Sequence, residues 1–522
     1  MQMRRAAFSE ILFVVTLCTL ASFGRSDHVE SELFYVPASE IASSVTFATD
    51  LIRQVTSILS EFAGAFGDFR LSNAVSDCLD LMDFSLDQLS WTLSASENPN
   101  SKGNATGNLG ADMKTWLSGA MTNQETCREG FDGTNGIVKT LVSGSLDQVT
   151  SLVYDILSMV KPTLNNSPPK GNNVGAVKGG GGRKLRAIDQ FPVWVKPHDR
   201  KLLQTASGSG ADVVVAADGT GNFMTIKEAV AAAPEYSAKR YVIYIKKGIY
   251  NEYVEISKKK WNIMLIGDGI DVTVITGNHH FIDGWTTYHS ATFAVKGQGF
   301  VARDITFQNT AGPEKHQAVA FRSDSDLSVL YRCGIRGYQD TLYAHTQRQF
   351  YRECQITGTV DFIFGDATVV IQNSIIRARK GLPSQKNTIT AQGRKEPVEN
   401  TGFSIQFCNI STEGNVLNST STYLGRPWKL YSRTIIMQSY ISEAIRPEGW
   451  LEWNGDFALN SLYYGEYMNY GPGSGLEARV KWPGYHIFHD SSQPTNFTVS
   501  QFLLGNTWLP STGVRFTSGL GV

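Results

Sequence analysis

Short β-rich segments recur along the second half of the chain, and their spacing constrains the fold more than any other feature. The segments are separated by polar turns and follow one another roughly every 20 to 25 residues. They include "YVIYIKKGIY", "WNIMLIG", "ATFAVKG", "FVARDITFQN", "LSVLYRC", "QFYRECQI", "TVVIQNS" and "RTIIMQS". No comparable helical segments lie between them, which disfavours alternating β-α-β units. A regular period of this size predicts a solenoid, in which each coil stacks on the one before it.

The first half of the chain has helical periodicity instead. Four such segments follow one another between about residues 31 and 160, and three of them begin near residues 75, 112 and 137. The first segment places apolar side chains at helical spacing: Leu51, Val55, Ile58 and Phe62. Four amphipathic helices joined by polar loops predict an antiparallel bundle over 31–163. Cys78 and Cys127 lie in the second and third helices, where a disulfide would clamp the two together.

The N-terminus has the pattern of a secretory signal peptide. Arg4 and Arg5 precede an uncharged run over 11–24, which is too short to span a bilayer comfortably. We therefore expect residues 1–24 to be cleaved and the protein to be secreted, where disulfides are permitted. Five Asn-X-Ser/Thr sequons fit this expectation as glycosylation sites: Asn104, Asn165, Asn409, Asn418 and Asn496.

A segment rich in Gly, Asn and Pro separates the two halves. The stretch "NNSPPKGNNVGAVKGGGGRKLR" is typical of a flexible linker, which we place at 164–203. Two basic clusters within it, "RKLR" and "RKLL", both qualify as processing-protease sites. The second cluster is favoured because the β-rich half, 204–522, begins soon after it.

Overall composition excludes some partners. The chain has 522 residues, a formal net charge of -1 and 42% hydrophobic residues. A chain this long predicts two or more domains. The absence of a basic excess argues against nucleic acid, whose phosphates need neutralising. No segment after the signal peptide approaches transmembrane length.

The coil period relates residues that are distant in sequence. Residues one coil apart in a parallel solenoid lie on neighbouring strands, about 4.8 Å apart. Three like-for-like pairs are separated by 21 or 22 residues: Cys333 and Cys354, Gln317 and Gln339, and Asp340 and Asp361. The cysteine separation fits disulfide geometry, with Cα atoms about 4.4 to 6.8 Å apart, so a disulfide is predicted there. The glutamines fit a structural ladder equally well.

The aspartate pair is harder to explain structurally. Asp361 lies within "GTVDFIFG", where a carboxylate among bulky apolar neighbours is costly unless it is paired or used. Two stacked carboxylates resist joint ionisation, so their pKa values are expected to separate into one acid and one carboxylate. Such pairs are typical of acid/base and nucleophilic catalysis.

Five blocks of this half resemble the signature blocks of plant pectin methylesterases, in the family's order. They are "GIYNE" (248–252), "QAVAFR" (317–322), "GYQDTLY" (337–343), "GTVDFIFG" (358–365) and "LGRPW" (424–428). The N-terminal bundle, with "SDCLDLM" and "TWLSGAMTNQETC", resembles the pectin methylesterase inhibitor domain that precedes many of these enzymes as a pro-region.

The resemblance implies a right-handed parallel β-helix and a set of catalytic roles. Asp361 would be the nucleophile that attacks the methyl ester of a galacturonate unit, and Asp340 the general acid and then base. Gln317 and Gln339 would stabilise the oxyanion, and Arg426 would hold Asp361 ionised.

The resemblance also implies a substrate groove and no cofactor. Trp428 would offer a flat face to a sugar ring, and Thr287 and Trp450 are further candidates for the groove. No metal is called for, and His279 and His280 are expected in a turn.

Two departures from the family pattern concern cysteines. The inhibitor family usually has a cysteine pair in its N-terminal hairpin, and this chain has no cysteine between residue 31 and Cys78. Two roles of the bundle therefore stay open: inhibition of the chain's own enzyme and assistance in its folding. Ser374 stands where relatives often have a cysteine, which leaves Cys408 as an expected buried free thiol.

The predicted function is therefore a secreted pectinesterase of the cell wall. Its expected partners are methyl-esterified homogalacturonan, a subtilisin-like processing protease and separate inhibitor proteins, and the mature enzyme is expected to be monomeric. The alternatives are a catalytically dead pectin-binding protein, a bundle that inhibits other esterases after cleavage, and a pectate lyase. The lyase would need a calcium site and would release an unsaturated product.

Overall fold

The computed structural model of the protein describes residues 33–64, 67–98, 106–134, 136–161, 210–414 and 420–521. The predicted signal peptide and linker, and the sequons at Asn104, Asn165 and Asn418, lie outside these ranges. Within them, no helix is both long and apolar enough to cross a membrane.

The first half is a bundle of four helices, as the periodicity predicts. They are α1 (Ala38–Phe62), α2 (Phe69–Glu97), α3 (Leu109–Gly130) and α4 (Gly136–Met159). The Asp68 carboxylate caps α2 by accepting from the backbone N–H groups of Arg70 and Leu71. The predicted disulfide between Cys78 and Cys127 is present and joins α2 to α3. The disulfide thus cross-links two neighbouring helices of the bundle.

The second half is a parallel β-helix, which confirms the solenoid prediction. Successive coils each add strands to three parallel sheets, with 11, 7 and 8 strands. The first sheet consists of Val213–Val215, Tyr241–Ile245, Ile263–Ile266, Val301–Arg303, Ser328–Tyr331, Arg348–Arg352, Thr368–Gln372, Gly402–Gln406, Arg433–Met437, Tyr463–Tyr467 and Tyr485–Ile487. The second sheet consists of Val254–Ile256, Phe293–Val295, Phe321–Ser323, Leu342–Ala344, Ile363–Gly365, Asn387–Gln392 and Thr422–Gly425. The third sheet consists of Gly248–Asn251, Thr273–Gly277, Thr306–Asn309, Gly334–Arg336, Gln355–Gly358, Ile375–Ala378, Asn409–Thr412 and Tyr440–Ile441.

Short helices cover parts of the β-helix. Helix α5 (Ile226–Ala232) begins with a capping box between Thr225 and Glu228, and its apolar face is buried against the first coils. The C-terminal helices α6 (Val499–Phe502) and α7 (Gly505–Trp508) pack on the outer face of the first sheet. Within the described ranges, the 3₁₀ helices are Phe281–Asp283, Pro313–Lys315, Pro494–Phe497 and Leu509–Thr512.

The turn between the first and third sheets repeats the same backbone geometry in coil after coil. One residue per turn is left-handed, with φ between 48° and 57°, at Asp304, Arg332, Glu353, Asn373, Phe407, Gln438 and Met468. In six of these seven turns the residue after it is buried, and Cys333, Cys354, Ser374 and Cys408 occupy this position in four successive coils.

The predicted disulfide between Cys333 and Cys354 is wrong. Both are buried free thiols, and each donates to a backbone carbonyl, Cys333 to Tyr331 at 3.5 Å and Cys354 to Leu330 at 3.4 Å. Side chains in register on neighbouring parallel strands keep their Cβ atoms about as far apart as the strands, about 4.8 Å, whereas a disulfide needs about 3.8 Å. Cys408 is a buried free thiol, as expected.

The bundle lies on the outer face of the second sheet. Outward-facing residues of that sheet and its turns, including Tyr288, Ala294, Tyr343 and Phe364, share one hydrophobic core with the bundle helices. Polar contacts from α3 surround this core. Asp112 accepts from Arg348 at 2.6 Å, and Thr126 shares a hydrogen bond with His345 at 2.7 Å. The second sheet is therefore covered by the chain's own N-terminal half.

Candidate active site

Coil stacking brings Asp340 and Asp361 together. Each lies just before a strand of the second sheet, and the two strands, Leu342–Ala344 and Ile363–Gly365, are paired in register. The backbone N–H of Asp340 donates to the carbonyl of Val360 at 3.1 Å. Both aspartates are left-handed, with φ of 60° and 52°, a conformation that Asp tolerates better than most residues. The corner thus turns both carboxylates toward the same side of the sheet.

Three hydrogen bonds fix the carboxylate of Asp361. Arg426 donates through Nε to Oδ1 at 2.8 Å and through a terminal nitrogen to Oδ2 at 2.6 Å. Thr388 donates its hydroxyl to Oδ1 at 2.6 Å and accepts the backbone N–H of Asp361 at 3.0 Å. The predicted contact with Arg426 is present, and such paired, charge-assisted bonds hold a carboxylate in one orientation. This answers why a carboxylate is tolerated among apolar neighbours.

Asp340 has the opposite environment. Burial raises the pKa of Asp340 well above its ordinary value, and the neighbouring Asp361 raises it further, while Arg426 acts in the other direction. Asp340 is therefore suited to carry a proton beside the carboxyl group of Asp361.

A cavity of about 410 Å³ opens over the two aspartates. The side chains that line it include Thr287, Gln317, Gln339, Asp340, Asp361 and Arg426. The structure thus brings the five predicted catalytic residues and Thr287 into one cavity. Its size is within the range of ordinary small-molecule sites.

Aromatic rings form much of the rest of the wall. Trp428 lines the cavity as predicted and lies so close to Gly393 that a Cβ there would be 2.8 Å from the indole ring. Trp450 does not line it, so its assignment to the groove is wrong: it is 1% exposed and stacks on Tyr464 in the core. Trp453, three residues later, lines the cavity instead, with the Arg426 guanidinium 4.2 Å from its ring centroid.

Sequence reasoning missed Thr388 and Trp453. The stretch "GWLEWNGD" contains two tryptophans, Trp450 and Trp453, so the sequence offered both as candidates for the groove. In an irregular loop, however, alternation does not tell which of the two side chains faces the cavity. Thr388 follows Asp361 by 27 residues, more than one regular coil, so the period could not place it beside the aspartate.

Comparisons with known proteins show which family the chain belongs to. The family model for pectinesterase matches residues 212–506, and the model for plant invertase/pectin methylesterase inhibitor matches residues 16–159. The chain belongs to the pectinesterase family. A pectinesterase/pectinesterase inhibitor of Prunus persica is 61% identical over 99% of this chain and 98% of its own. A probable pectinesterase/pectinesterase inhibitor of Arabidopsis thaliana is 62% identical, with 98% of each chain covered.

Solved structures match the pectinesterase half. Pectin methylesterase from carrot is 54% identical with a TM-score of 0.60, and the match covers 60% of this chain and 99% of that one. The Aspergillus niger pectin methylesterase is 32% identical with a TM-score of 0.51, covering 58% of this chain and 97% of that one. The match covers nearly the whole carrot chain but only 60% of this one. The solved carrot chain therefore has the fold of the pectinesterase half and no counterpart of the bundle.

The inhibitor-like bundle supplies the outer wall of the cavity. Arg70, Asp77, Thr126, Glu129 and Asp132 all line it from the bundle side. At the start of α2, Arg70 donates to the carbonyl of Phe281 at 2.5 Å and lies 3.8 Å from the centroid of its ring. The bundle thus stands between the catalytic pair and the solvent on this side.

The two neighbouring histidines of the pectinesterase half have structural contacts. His279 stacks between Tyr253 and Trp285, with ring centroids 3.5 and 3.8 Å away. His280 pairs with Asp283 at 3.0 Å. Over the ranges that the structure describes, no group of three or more His, Cys, Asp or Glu side chains is arranged to hold a metal ion.

Proposed function

We propose that this pectinesterase hydrolyses the methyl esters of galacturonate units in pectin through an acyl-enzyme on Asp361. The observation that carries the proposal is the pairing of a carboxylate fixed by Arg426 and Thr388 with a second carboxyl group, Asp340, whose pKa is raised.

In the first step, a carboxylate oxygen of Asp361 attacks the ester carbonyl carbon. The negative charge that develops on the carbonyl oxygen is stabilised by the side-chain amides of Gln317 and Gln339, which line the same cavity. The bond to the methoxy oxygen then breaks as Asp340 gives that oxygen its proton. Methanol leaves, and the galacturonate acyl group stays on Asp361 as a mixed anhydride.

In the second step, Asp340 acts as a base. Its carboxylate takes a proton from water, and the hydroxide oxygen attacks the acyl carbon. The anhydride bond breaks, which leaves a free carboxyl group on the galacturonate unit of the polymer and restores the Asp361 carboxylate. Arg426 stabilises the departing carboxylate, so both steps use the same contact.

The bundle would be autoinhibitory in this reading. It closes the side of the cavity from which a polymer would approach, and its contacts include Arg70 on Phe281 and Thr126 on His345. Cleavage by a subtilisin-like protease at either linker cluster would free a mature enzyme that begins near Gln204. We place the domain boundaries at 31–163 and 204–522. A role for the bundle in folding is compatible with both autoinhibition and cleavage.

We also propose that the protein is secreted to the cell wall after removal of residues 1–24. Asn409 and Asn496 are exposed and so accessible to glycosylation, a proposal that extends to the three sequons outside the described ranges. The mature enzyme would act as a monomer on methyl-esterified homogalacturonan and be a target for separate inhibitor proteins.

Methanol release from highly methylated pectin tests this function. The chain from Gln204 onward, equivalent to the solved carrot enzyme, should release methanol, yield no unsaturated product and keep its activity in chelator. Unsaturated product that disappears with chelator would mean a lyase. A folded protein that releases no methanol across a broad pH range would leave pectin binding as the function.

A further inference from the structure

One carboxylate of the bundle is held by two ammonium groups of the pectinesterase half. Glu125 of α3 accepts from Lys429 at 2.7 Å and from Lys395 at 2.9 Å. Its side chain is 12% exposed, and those of Lys429 and Lys395 are 18% and 30% exposed. Neighbouring Glu129 also pairs with Lys429. The two lysines thus form a carboxylate site that is occupied in this structure.

This lysine pair lies beside the catalytic cavity. Lys429 directly follows Trp428, whose indole ring lines that cavity, and the Lys429 ammonium is 5.3 Å from the ring centroid. Lys395 is two residues from Gly393, against which the same indole packs. A sugar ring resting on Trp428 would therefore lie beside the Lys429 ammonium, and the shared contact with Glu125 shows that the Lys395 ammonium lies next to that of Lys429.

The lysines have little to pair with once the bundle is gone. Among the residues that the structure describes, every ion pair of Lys395 and Lys429 is with a bundle carboxylate. The buried carboxylate of Glu399 lies near but accepts from the backbone N–H groups of Lys395 and Glu396. Removal of the bundle therefore exposes two unpaired positive charges at the rim of the site.

We propose that Lys395 and Lys429 form a binding subsite for the free carboxylate of an unesterified galacturonate unit, and that Glu125 occupies this subsite in the intact chain. The inference rests on the proposed function, because it takes the ligand to be the same polymer whose esters react at Asp361. It adds which two residues of this chain would bind a free acid group of that polymer and which bundle residue occupies their site.

Calorimetric binding of trigalacturonate, which has no methyl ester, tests the subsite without requiring catalysis. The chain from Gln204 should bind it, and the double variant Lys395→Gln/Lys429→Gln should bind about tenfold more weakly, because charge-assisted bonds are lost at a partly exposed site. The Lys395→Arg/Lys429→Arg variant should keep most of the affinity. A matched control, Lys227→Gln/Lys247→Gln, removes the same charge at exposed positions near the N-terminal end of the β-helix and should bind like wild type.

Kinetics give the second readout. In the glutamine double variant, KM should rise severalfold for partly de-esterified pectin and stay unchanged for highly methylated pectin, with kcat unaltered. Wild-type protein that does not bind trigalacturonate, or a double variant that binds equally well, would overturn the subsite. An equal loss in the control variant would also overturn it, since that result means general attraction by net charge. If methanol release fails but calorimetry shows the expected loss, the esterase function fails while the carboxylate subsite stands.

Discussion

Replacing Glu125 by Gln should weaken docking of the bundle on the pectinesterase half. Burial alone would raise the pKa of Glu125, but Lys429 and Lys395 together lower it from 4.5 to about 2. Since one pKa unit corresponds to about 1.4 kcal/mol, this lowering corresponds to at most about 3 kcal/mol of docking free energy, because Arg128 on the same helix also pairs with Glu125 and stays with it in the free bundle. Glutamine keeps the shape and removes the charge, so the dissociation constant of the bundle should rise tenfold to about a hundredfold.

The sign of the pH dependence follows from the lowered pKa. The contribution of Glu125 is complete above its ordinary pKa of about 4.5 and is lost as the pH falls toward 2. The difference between wild type and Glu125→Gln should therefore be constant from about pH 5 to neutrality and shrink below pH 4.

The assay uses the full chain with a site for a sequence-specific protease inserted in the linker. After cleavage, methanol release is measured at increasing dilution, and the dissociation constant of the bundle is the concentration at which half of the activity appears. Glu61→Gln is the matched control, because Glu61 is an exposed carboxylate in the last turn of α1. Equal dissociation constants for Glu125→Gln and wild type would refute the electrostatic account of docking.

Three further changes have defined outcomes. Thr388→Val should lower kcat about tenfold, because one hydrogen bond that orients the Asp361 carboxylate is lost, and Thr388→Ser should restore the rate. An unchanged kcat in the folded valine variant would contradict this role. Asp340→Asn should lower methanol release by about 10²-fold or more but raise the melting temperature at pH 7. The reason for the second effect is that the raised pKa of Asp340 makes its ionisation oppose folding above about pH 4. A lower melting temperature of the variant would contradict this sign. Replacing Cys78 and Cys127 by Ser should reduce the free energy of unfolding of the bundle by about 4 kcal/mol in urea denaturation, since the disulfide closes a loop of 49 residues, whereas an unchanged midpoint would show that packing alone holds α2 to α3.

The sequence predicted the fold well because both halves are periodic. Apolar spacing in the first half identified four helices, and a recurring strand period in the second identified stacked coils. The same period placed Asp340 beside Asp361, because residues one coil apart must be neighbours. A period repeated over many segments constrains the whole fold, and the preference of a single residue does not change it.

The period fixed neighbours but not bond geometry or side-chain direction. It brought Cys333 next to Cys354, yet parallel Cα–Cβ vectors keep their sulfur atoms from the separation that a disulfide needs. Trp450 and Trp453 lie in one irregular turn, where the alternation of side chains along a strand does not apply. The ring of Trp450 packs in the core, and that of Trp453 lines the cavity.

Contacts between the halves were beyond sequence reasoning. Glu125 lies on a helix face whose charges look solvated in isolation, and its partners Lys395 and Lys429 are about 270 and 300 residues away. Only the docked arrangement shows that this face is an interface. The proposed carboxylate subsite therefore has no signal in the sequence.

Methanol release by Asp361→Asn tests the central claim most directly. The chain from Gln204 is compared with the same chain carrying Asp361→Asn, and with Asp456→Asn, an exposed aspartate near the rim of the site, as the control. The account predicts near-complete loss of activity in Asp361→Asn, with the fold retained by circular dichroism, and wild-type rates in the control. A folded Asp361→Asn variant that releases methanol at the wild-type rate would contradict the assignment of Asp361 as the nucleophile.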